Sequence, residues 1–267
     1  MSILRMFNNK VAVLGCGPAG LFAAHALIRK GYDVTVYSKA RQSHMYGAQY
    51  LHEPIPYLTP SDEEPVLVQY KLEGEPSEYR EKVYGSLPIK VSPESLTTEH
   101  PAWDIRAAYD KAWTMYAPIV QDTLITPEWM ASGELDRYGS VVSSVPLPTL
   151  CRAKDAHEFH AVSIWAIGDA PRRGQYAPFR PQENTVLCDG TRDRGWYRAS
   201  NIHGQVTIEW PGNKKPPLPG VAEVMKPIYS TCDCYGHSKF RFVKVGRYGV
   251  WSKGVLSHQA YMTASAL

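Results

Sequence analysis

The stretch Lys10-Val11-Ala12-Val13-Leu14-Gly15-Cys16-Gly17-Pro18-Ala19-Gly20-Leu21, with the residues that carry it on to Gly31 and Val34-Thr35-Val36-Tyr37, decides the fold. Lys10 to Leu14 is a short apolar run stopped by a glycine, which predicts a strand buried in a parallel sheet. Leu21, Ala24, Leu27 and Ile28 recur at helical spacing, and Gly31 stands where a helix ends. Val34 to Tyr37 reads as a second strand. Strand, glycine turn, helix and strand within about thirty residues make a βαβ unit.

Each glycine of the turn has its own task. Gly15 permits the sharp exit from the strand, Gly17 lets backbone come close to a pyrophosphate, and Gly20 allows tight packing of helix on strand. The helix N-terminus presents free N–H groups and the positive end of its dipole to an anion. Gly15, Gly17, Pro18, Ala19 and Gly20 are therefore the expected dinucleotide contacts. An acidic residue normally ends the second strand and binds the ribose. Here Ser38 and Lys39 stand there. Serine offers one weaker hydrogen bond, and lysine suits a 2′-phosphate, which keeps NADP open as the cofactor.

Composition narrows the rest. The 267 residues suffice for one large domain or a domain with a smaller lobe. With 44% hydrophobic and 21% charged residues the chain reads as an ordinary soluble protein. A net charge of +3 without basic clustering does not suggest a nucleic-acid partner. No apolar run reaches bilayer length, and Met1 to Lys10 lacks the core of a signal peptide. The five scattered cysteines argue against a disulfide framework, so a reducing, cytoplasmic compartment is expected.

Further elements are fainter. Residues 53–100 are rich in Pro, Glu and Ser and read as loops with short strands. Residues 103–120 have Ile105, Ala108, Ala112, Tyr116 and Ile119 spaced for one helix face. Strands are expected at 140–145, at 161–167 ending in Gly168-Asp169, and at 240–245. A hairpin is expected across 196–210 about Ile202-His203-Gly204, and a closing helix within 255–266. Ligands gather at the carboxyl ends of strands in open α/β sheets, which makes Asp169 a candidate ribose or phosphate contact. Arg247, between Gly246 and Gly249 after the last strand, is placed to meet a phosphate or a ring. Trp196 and Trp251 are the tryptophans expected nearest the site.

Several of these segments, in order, resemble the glutathione-reductase-like FAD superfamily, nearest the amine oxidases and UDP-galactopyranose mutases. Gly15 to Gly20 with Leu21, Ala24 and Gly31 is similar to the N-terminal FAD fingerprint. Tyr46-Gly47-Ala48-Gln49-Tyr50-Leu51-His52 resembles a mutase segment beside the flavin, with Gln49 in place of its first histidine and His52 matching its second. Val141 to Leu147 resembles a shared strand end, and Trp196-Tyr197-Arg198 a Tyr-Thr-Arg segment. Val245 to Trp251 resembles the C-terminal Gly-Arg motif, which would bring Gly246 and Arg247 to the cofactor. The resemblance implies FAD, with Gln49, His52 and Arg198 as catalytic candidates.

Cys232-Asp233-Cys234 with His237 invites a metal reading, completed by Cys188 or Cys151 only through the fold. The Cys-x-Cys spacing is short for zinc, and no second pair follows. A redox-active thiol is a second reading and a turn before the last strand the favoured one. His157-Glu158-Phe159-His160 lacks the i, i+4 histidine pair and reads as a loop. No metal site is assigned.

These readings predict an α/β protein: a Rossmann-like FAD-binding domain with a parallel central sheet, and a reduced cap with a helix and a small antiparallel sheet. Residues 1–55, 135–180 and 225–267 are assigned to the first, and 56–134 and 181–224 to the second. The expected function is FAD-dependent oxidation of a small molecule, amine or modified nucleoside. A non-redox flavin enzyme resembling the sugar mutases, with Arg198 on the substrate phosphates, and a non-catalytic dinucleotide-binding protein are the alternatives. With no second glycine fingerprint, electrons would come from the substrate, a free reduced cofactor or an electron-donor partner.

Overall fold

The computed structural model describes residues 9–41, 45–47, 49–60, 62, 64–170, 181–235 and 240–267, without the side chains of Asp169 and Ala170. Its first layer is a five-stranded sheet. β1 (Lys10–Leu14) runs into α1 (Pro18–Arg29), and β2 (Asp33–Ser38) returns parallel beside β1, with Val11 opposite Val34 and Leu14 opposite Tyr37. Gly31, in the left-handed region at φ +85°, ends α1 as its position predicts.

The chain then enters a second sheet through β3 (Val66–Gly74), α2 (Pro76–Tyr84) and β4 (Glu99–Ala102). It returns through α3 (Ile105–Tyr116), β5 (Val120–Asp122), α4 (Pro127–Ala131) and β6 (Ser140–Ser143). Asp104 caps α3 by accepting from the N–H groups of Arg106 (2.8 Å) and Ala107 (3.2 Å). After α5 (Leu147–Leu150) the chain crosses again into β7 (Phe159–Ala170), β8 (Thr185–Gly190), β9 (Arg198–Ile202), β10 (Gln205–Pro211) and β11 (Ala222–Ser230). β12 (Arg241–Lys244), α6 (Gly246–Val250) and α7 (Gln259–Ser265) bring it back to the first sheet.

The first sheet is parallel throughout, in the order β12-β6-β1-β2-β5. Counted along the chain within the sheet this is the Rossmann order 3-2-1-4-5, with the reversal between β1 and β6. Both faces are covered, which is why β1 reads as an unbroken apolar run. Val11 and Val13 pack with Leu21, Leu27, Ala108, Ala112 and Ala260 from α1, α3 and α7. Ala12 and Leu14 pack oppositely with Met130, Leu135, Tyr138 and Leu150. Each fully buried leucine here contributes roughly 1.5–3 kcal/mol.

The second sheet is mixed, in the order β11-β7-β10-β9-β8-β3-β4, with β3 and β8 parallel and the other pairs antiparallel. The expected hairpin is there: His203 (φ +50°) and Gly204 (φ +73°) form a two-residue turn joining β9 to β10. Around it the sheet is larger than the expected one, and β3 is a nine-residue strand within the stretch read as loops.

The two sheets divide the chain differently from the sequence partition. β7 and β11 lie in the second sheet, although 135–180 and 225–267 are assigned to the first. α3 and β5, assigned to the cap, belong to the first. An apolar strand pattern states that a segment is buried and is silent on which distant partner it joins. β7 also runs through Gly168 and Asp169 between antiparallel neighbours, so Asp169 does not sit at the carboxyl end of a parallel strand. Among the described residues no helix is long and apolar enough to cross a membrane.

Candidate functional site

A cavity of about 300 Å³ opens where the carboxyl ends of β1 and β6 face the second sheet. This is the reversal point of the parallel sheet, where open α/β sheets bind ligands. Gly17, Pro18, Ala19 and Ser144 line it from the first sheet, and Arg198, Glu209, Val224 and Lys226 from the second.

Backbone geometry builds the first wall. Gly15 lies at φ +93°, and its N–H donates to the Tyr37 carbonyl at 2.8 Å, tying the turn to β2. A Cβ on Gly20 would stand 1.9 Å from the Gly15 carbonyl oxygen, so only glycine lets α1 start this close to β1. The first helical bond of α1 runs from Leu21 N–H to the Gly17 carbonyl (3.0 Å), and no side chain caps the first turn. The amides before Leu21 are thus left for a ligand. Gly246, at φ +70°, packs where an added Cβ would meet the Ala19 methyl at 2.4 Å. That contact sets Arg247 on the cavity rim beside the α1 N-terminus. Burial, then the like charge of Arg198, lowers the Arg247 pKa from its ordinary value.

Buried charge builds the second wall. Arg198 and Glu209 are directly opposed in the β9–β10 register. The Arg198 guanidinium grips the carboxylate with Nη2 at 2.6 and 2.8 Å and Nε at 3.1 Å. Lys226 Nζ donates to the same carboxylate at 2.5 Å, and the Tyr197 hydroxyl also donates to it. Glu209 is 1% exposed. Burial alone would raise its pKa, but Arg198 and Lys226 hold it well below the carboxylate range. Burial and the neighbouring Arg198 bring Lys226 down to about 7 against the pull of Glu209. Gly47, at φ +83°, lies where a Cβ would collide with the Glu209 carboxylate, which places its backbone directly over the cluster. Arg198, Lys226 and Arg247 against the single Glu209 leave an excess of positive charge at this wall, which favours an anionic ligand or developing negative charge.

Aromatic rings close a third side. His52 stacks on Tyr50 (centroids 4.5 Å apart) and lies 5.1 Å from the His100 ring and 6.0 Å from His258. Burial, then the two neighbouring histidines, lowers His52 to about 4, so it is neutral at neutral pH. Burial raises the Tyr50 phenol, whose hydroxyl lies 3.4 Å from that of Tyr70.

Of the sequence candidates, Gly17, Pro18, Ala19, Gln49, His52, Arg198, Gly246 and Arg247 share this cavity. The Gln49 amide donates to the Tyr46 carbonyl at 2.8 Å. Ser38 and Lys39 lie off the cavity at the end of β2; Lys39 pairs with Asp122 at 3.1 Å on the exposed surface. The Asp169 side chain and all of His237 lie outside the described residues. Trp196 packs with Ile208 and Trp210, and Trp251 with Leu147 and Cys151, so neither expected tryptophan lines the cavity. Cys232 and Cys234 come together with Cys151 and His157, whereas Cys188 packs in another cluster.

Sequence reasoning missed Glu209 and Lys226. The signal available was a lone carboxylate in the apolar strand Val206-Thr207-Ile208-Glu209-Trp210, since a charge on such a strand needs a partner.

Fold and cavity together define a Rossmann-type α/β protein with a charged ligand cavity at its sheet reversal. No known family profile and no curated protein matches the chain. Solved structures similar to it include a point mutant of 2-methyl-3-hydroxypyridine-5-carboxylic acid oxygenase (11% identity, TM-score 0.48, covering 96% of this chain and 86% of that one). A tetracycline destructase aligns at 12% identity and TM-score 0.49 (96% and 80%), and a tryptophan 5-halogenase at 13% and 0.48 (96% and 64%).

Proposed function

We propose that this chain is an FAD-dependent oxidoreductase acting on a small polar or anionic molecule, an amine or modified nucleoside among them. One observation carries the reading: the uncapped α1 N-terminus, Arg247 and the Arg198–Glu209–Lys226 cluster line a single cavity at the sheet reversal. The residues fit the cofactor. The amides of Gly17, Ala19 and Gly20 suit its pyrophosphate, and Gly246, packed on Ala19, holds α6 and Arg247 beside them. When bound, FAD supplies a two-electron acceptor.

The chain's own residues would bind, orient and polarise. The Nε–Nη2 edge of Arg198 is held by Glu209, so phosphate oxygens would meet the α1 amides and Arg247 first. Glu209 gives up little charge to the cavity, because two cations neutralise it. Lys226, lowered to about 7, would hold or release a proton near neutrality at the cavity wall. Neutral His52 on Tyr50 would offer an uncharged, ring-lined surface. Electrons would enter or leave through the substrate, a free reduced cofactor or an electron-donor partner.

The visible absorption spectrum of the purified protein tests this, with melting curves in added FAD and in added NADP. Flavin bands, or a melting temperature raised by FAD and not by NADP, are expected. Stabilisation by NADP alone would credit Lys39 and overturn the flavin reading, and a response to neither would overturn dinucleotide binding.

A further inference from the structure

Away from this cavity, the structure gathers a second set of chemically active side chains. Cys151 follows α5, where the chain leaves the parallel sheet for β7. His157 precedes β7. Cys232 and Cys234 follow β11, where the chain returns toward β12. Residues more than seventy positions apart thus meet at two neighbouring passages between the sheets. One ligand atom from each of the four lies within 4.8 Å of the others.

The spacings recorded among Cys151, His157 and Cys234 are close to those of a coordination shell, and Cys232 stands within 4.8 Å of them. Cys151 Sγ lies 3.6 Å from Cys234 Sγ. His157 Nδ1 lies 3.2 Å from Cys151 Sγ and 3.6 Å from Cys234 Sγ. Tetrahedral zinc with Zn–S of about 2.3 Å and Zn–N of about 2.0–2.1 Å requires ligand-to-ligand edges of roughly 3.5–3.8 Å. A disulfide would need its sulfurs at about 2.05 Å. The other ring nitrogen of His157, Nε2, lies 3.4 Å from the carboxylate of Asp233, between the two cysteines. A carboxylate on the far nitrogen is the arrangement that orients a metal-bound histidine. Around the cluster, Leu147, Phe159, Ala161 and Trp251 form an apolar jacket. Cys151 and Cys232 are buried.

We propose that Cys151, His157, Cys232 and Cys234 form a structural zinc site that fastens the parallel sheet to the second sheet. Three thiolates and an imidazole complete a tetrahedron, leaving no open position, as structural sites require and catalytic ones do not. The soft S₃N donor set suits zinc over magnesium or calcium. Metal binding would release the thiol protons and order the crossings together. The site is independent of the flavin reading.

The test uses the full chain purified under reducing conditions. Elemental analysis should find about one zinc per chain, and cobalt put in its place should show thiolate charge-transfer bands and the intense ligand-field bands of a tetrahedral site. Stripping the metal should lower the melting temperature by roughly 5–10 °C. Asp233 is 90% exposed on its side chain, so Asp233→Asn should fold normally. It should nevertheless weaken zinc about 10-fold, which a loop carboxylate without a positioning role would not do. A protein that takes up neither zinc nor cobalt when reduced, or that binds iron instead, would overturn the assignment. So would titration of three rather than all five thiols in a second preparation, made without reductant and then unfolded in chelator, because that result would reveal a disulfide.

Discussion

The loop at Gly15–Gly20 and the cluster at Arg198, Glu209 and Lys226 face one cavity and prepare it for charge in opposite ways. The loop has no side-chain charge. It works by omission: missing Cβ atoms let strand, helix and α6 crowd together, and the uncapped amides are what remain. The cluster works by compensation: a carboxylate that is 1% exposed is tolerated only because three donors converge on it. The loop's order should therefore be insensitive to any one charge. The cluster should fail when one member goes.

The largest expected effect follows from that difference. Glu209→Gln keeps the shape and removes the charge, leaving Arg198 and Lys226 buried against each other. Breaking a buried ion pair on one side costs about 3–5 kcal/mol. Urea unfolding at neutral pH should show it, and a loss below about 1 kcal/mol would mean that water already solvates the cluster. Gly20→Ala should do the reverse. Overpacking against the Gly15 carbonyl costs about 1–3 kcal/mol, and misplacing the α1 amides should in addition weaken FAD binding about 10-fold or more. If Gly20→Ala loses stability without losing FAD, the loop is a packing device and the comparison breaks.

How much of this was legible follows the same division. Glycine spacing is a local property, so the βαβ unit, its loop and the Gly246-Arg247 segment can be read from adjacent residues. The cap on α3 and the turn at His203-Gly204 are equally local. Glu209 means nothing until Arg198 stands opposite it and Lys226 reaches across from β11. That depends on strand pairings among β7, β9, β10 and β11, which no short window of sequence encodes. β7 was readable as a strand and not as a member of the second sheet for the same reason. The Cys151–His157–Cys232–Cys234 cluster is the extreme case: Cys232-Asp233-Cys234 invites a metal reading by itself, but its completion by Cys151 and His157 depends on a distant loop that only the fold brings near.

A smaller effect tests the ring-lined side. In the folded chain His52 is lowered from 6.5 to about 4, chiefly by burial. As pH falls, the unfolded chain therefore takes up the proton first, near 6.5. The contribution of neutral His52 is complete above that value and is lost as pH falls through about 4. His25 and His258 are lowered by burial too and add to the same slope. His52→Gln should flatten the fall in stability between pH 6.5 and 4 relative to the parent. An unchanged slope would mean that His52 protonates in place, with water at its ring.

The smallest effect lies at the end of β2, where the glycine loop's logic runs out. The Ser38 hydroxyl donates to the Ala40 carbonyl at 3.4 Å, and Lys39 spends its charge on Asp122 at the surface. Under the flavin reading, Ser38 offers the ribose a neutral group where a carboxylate would accept two bonds. Ser38→Asp should then tighten FAD by about 1 kcal/mol, roughly five-fold, the difference between a charged and a neutral hydrogen-bond partner. Lys39→Ala should leave FAD nearly untouched, because exposed pairs of this kind contribute about 0–1 kcal/mol. Titration by flavin fluorescence separates the two. If Lys39→Ala weakens binding and Ser38→Asp does not strengthen it, the residue after β2 is reading a phosphate, and the end of β2, outside the cavity, has been built for charge in the cluster's way, by compensation.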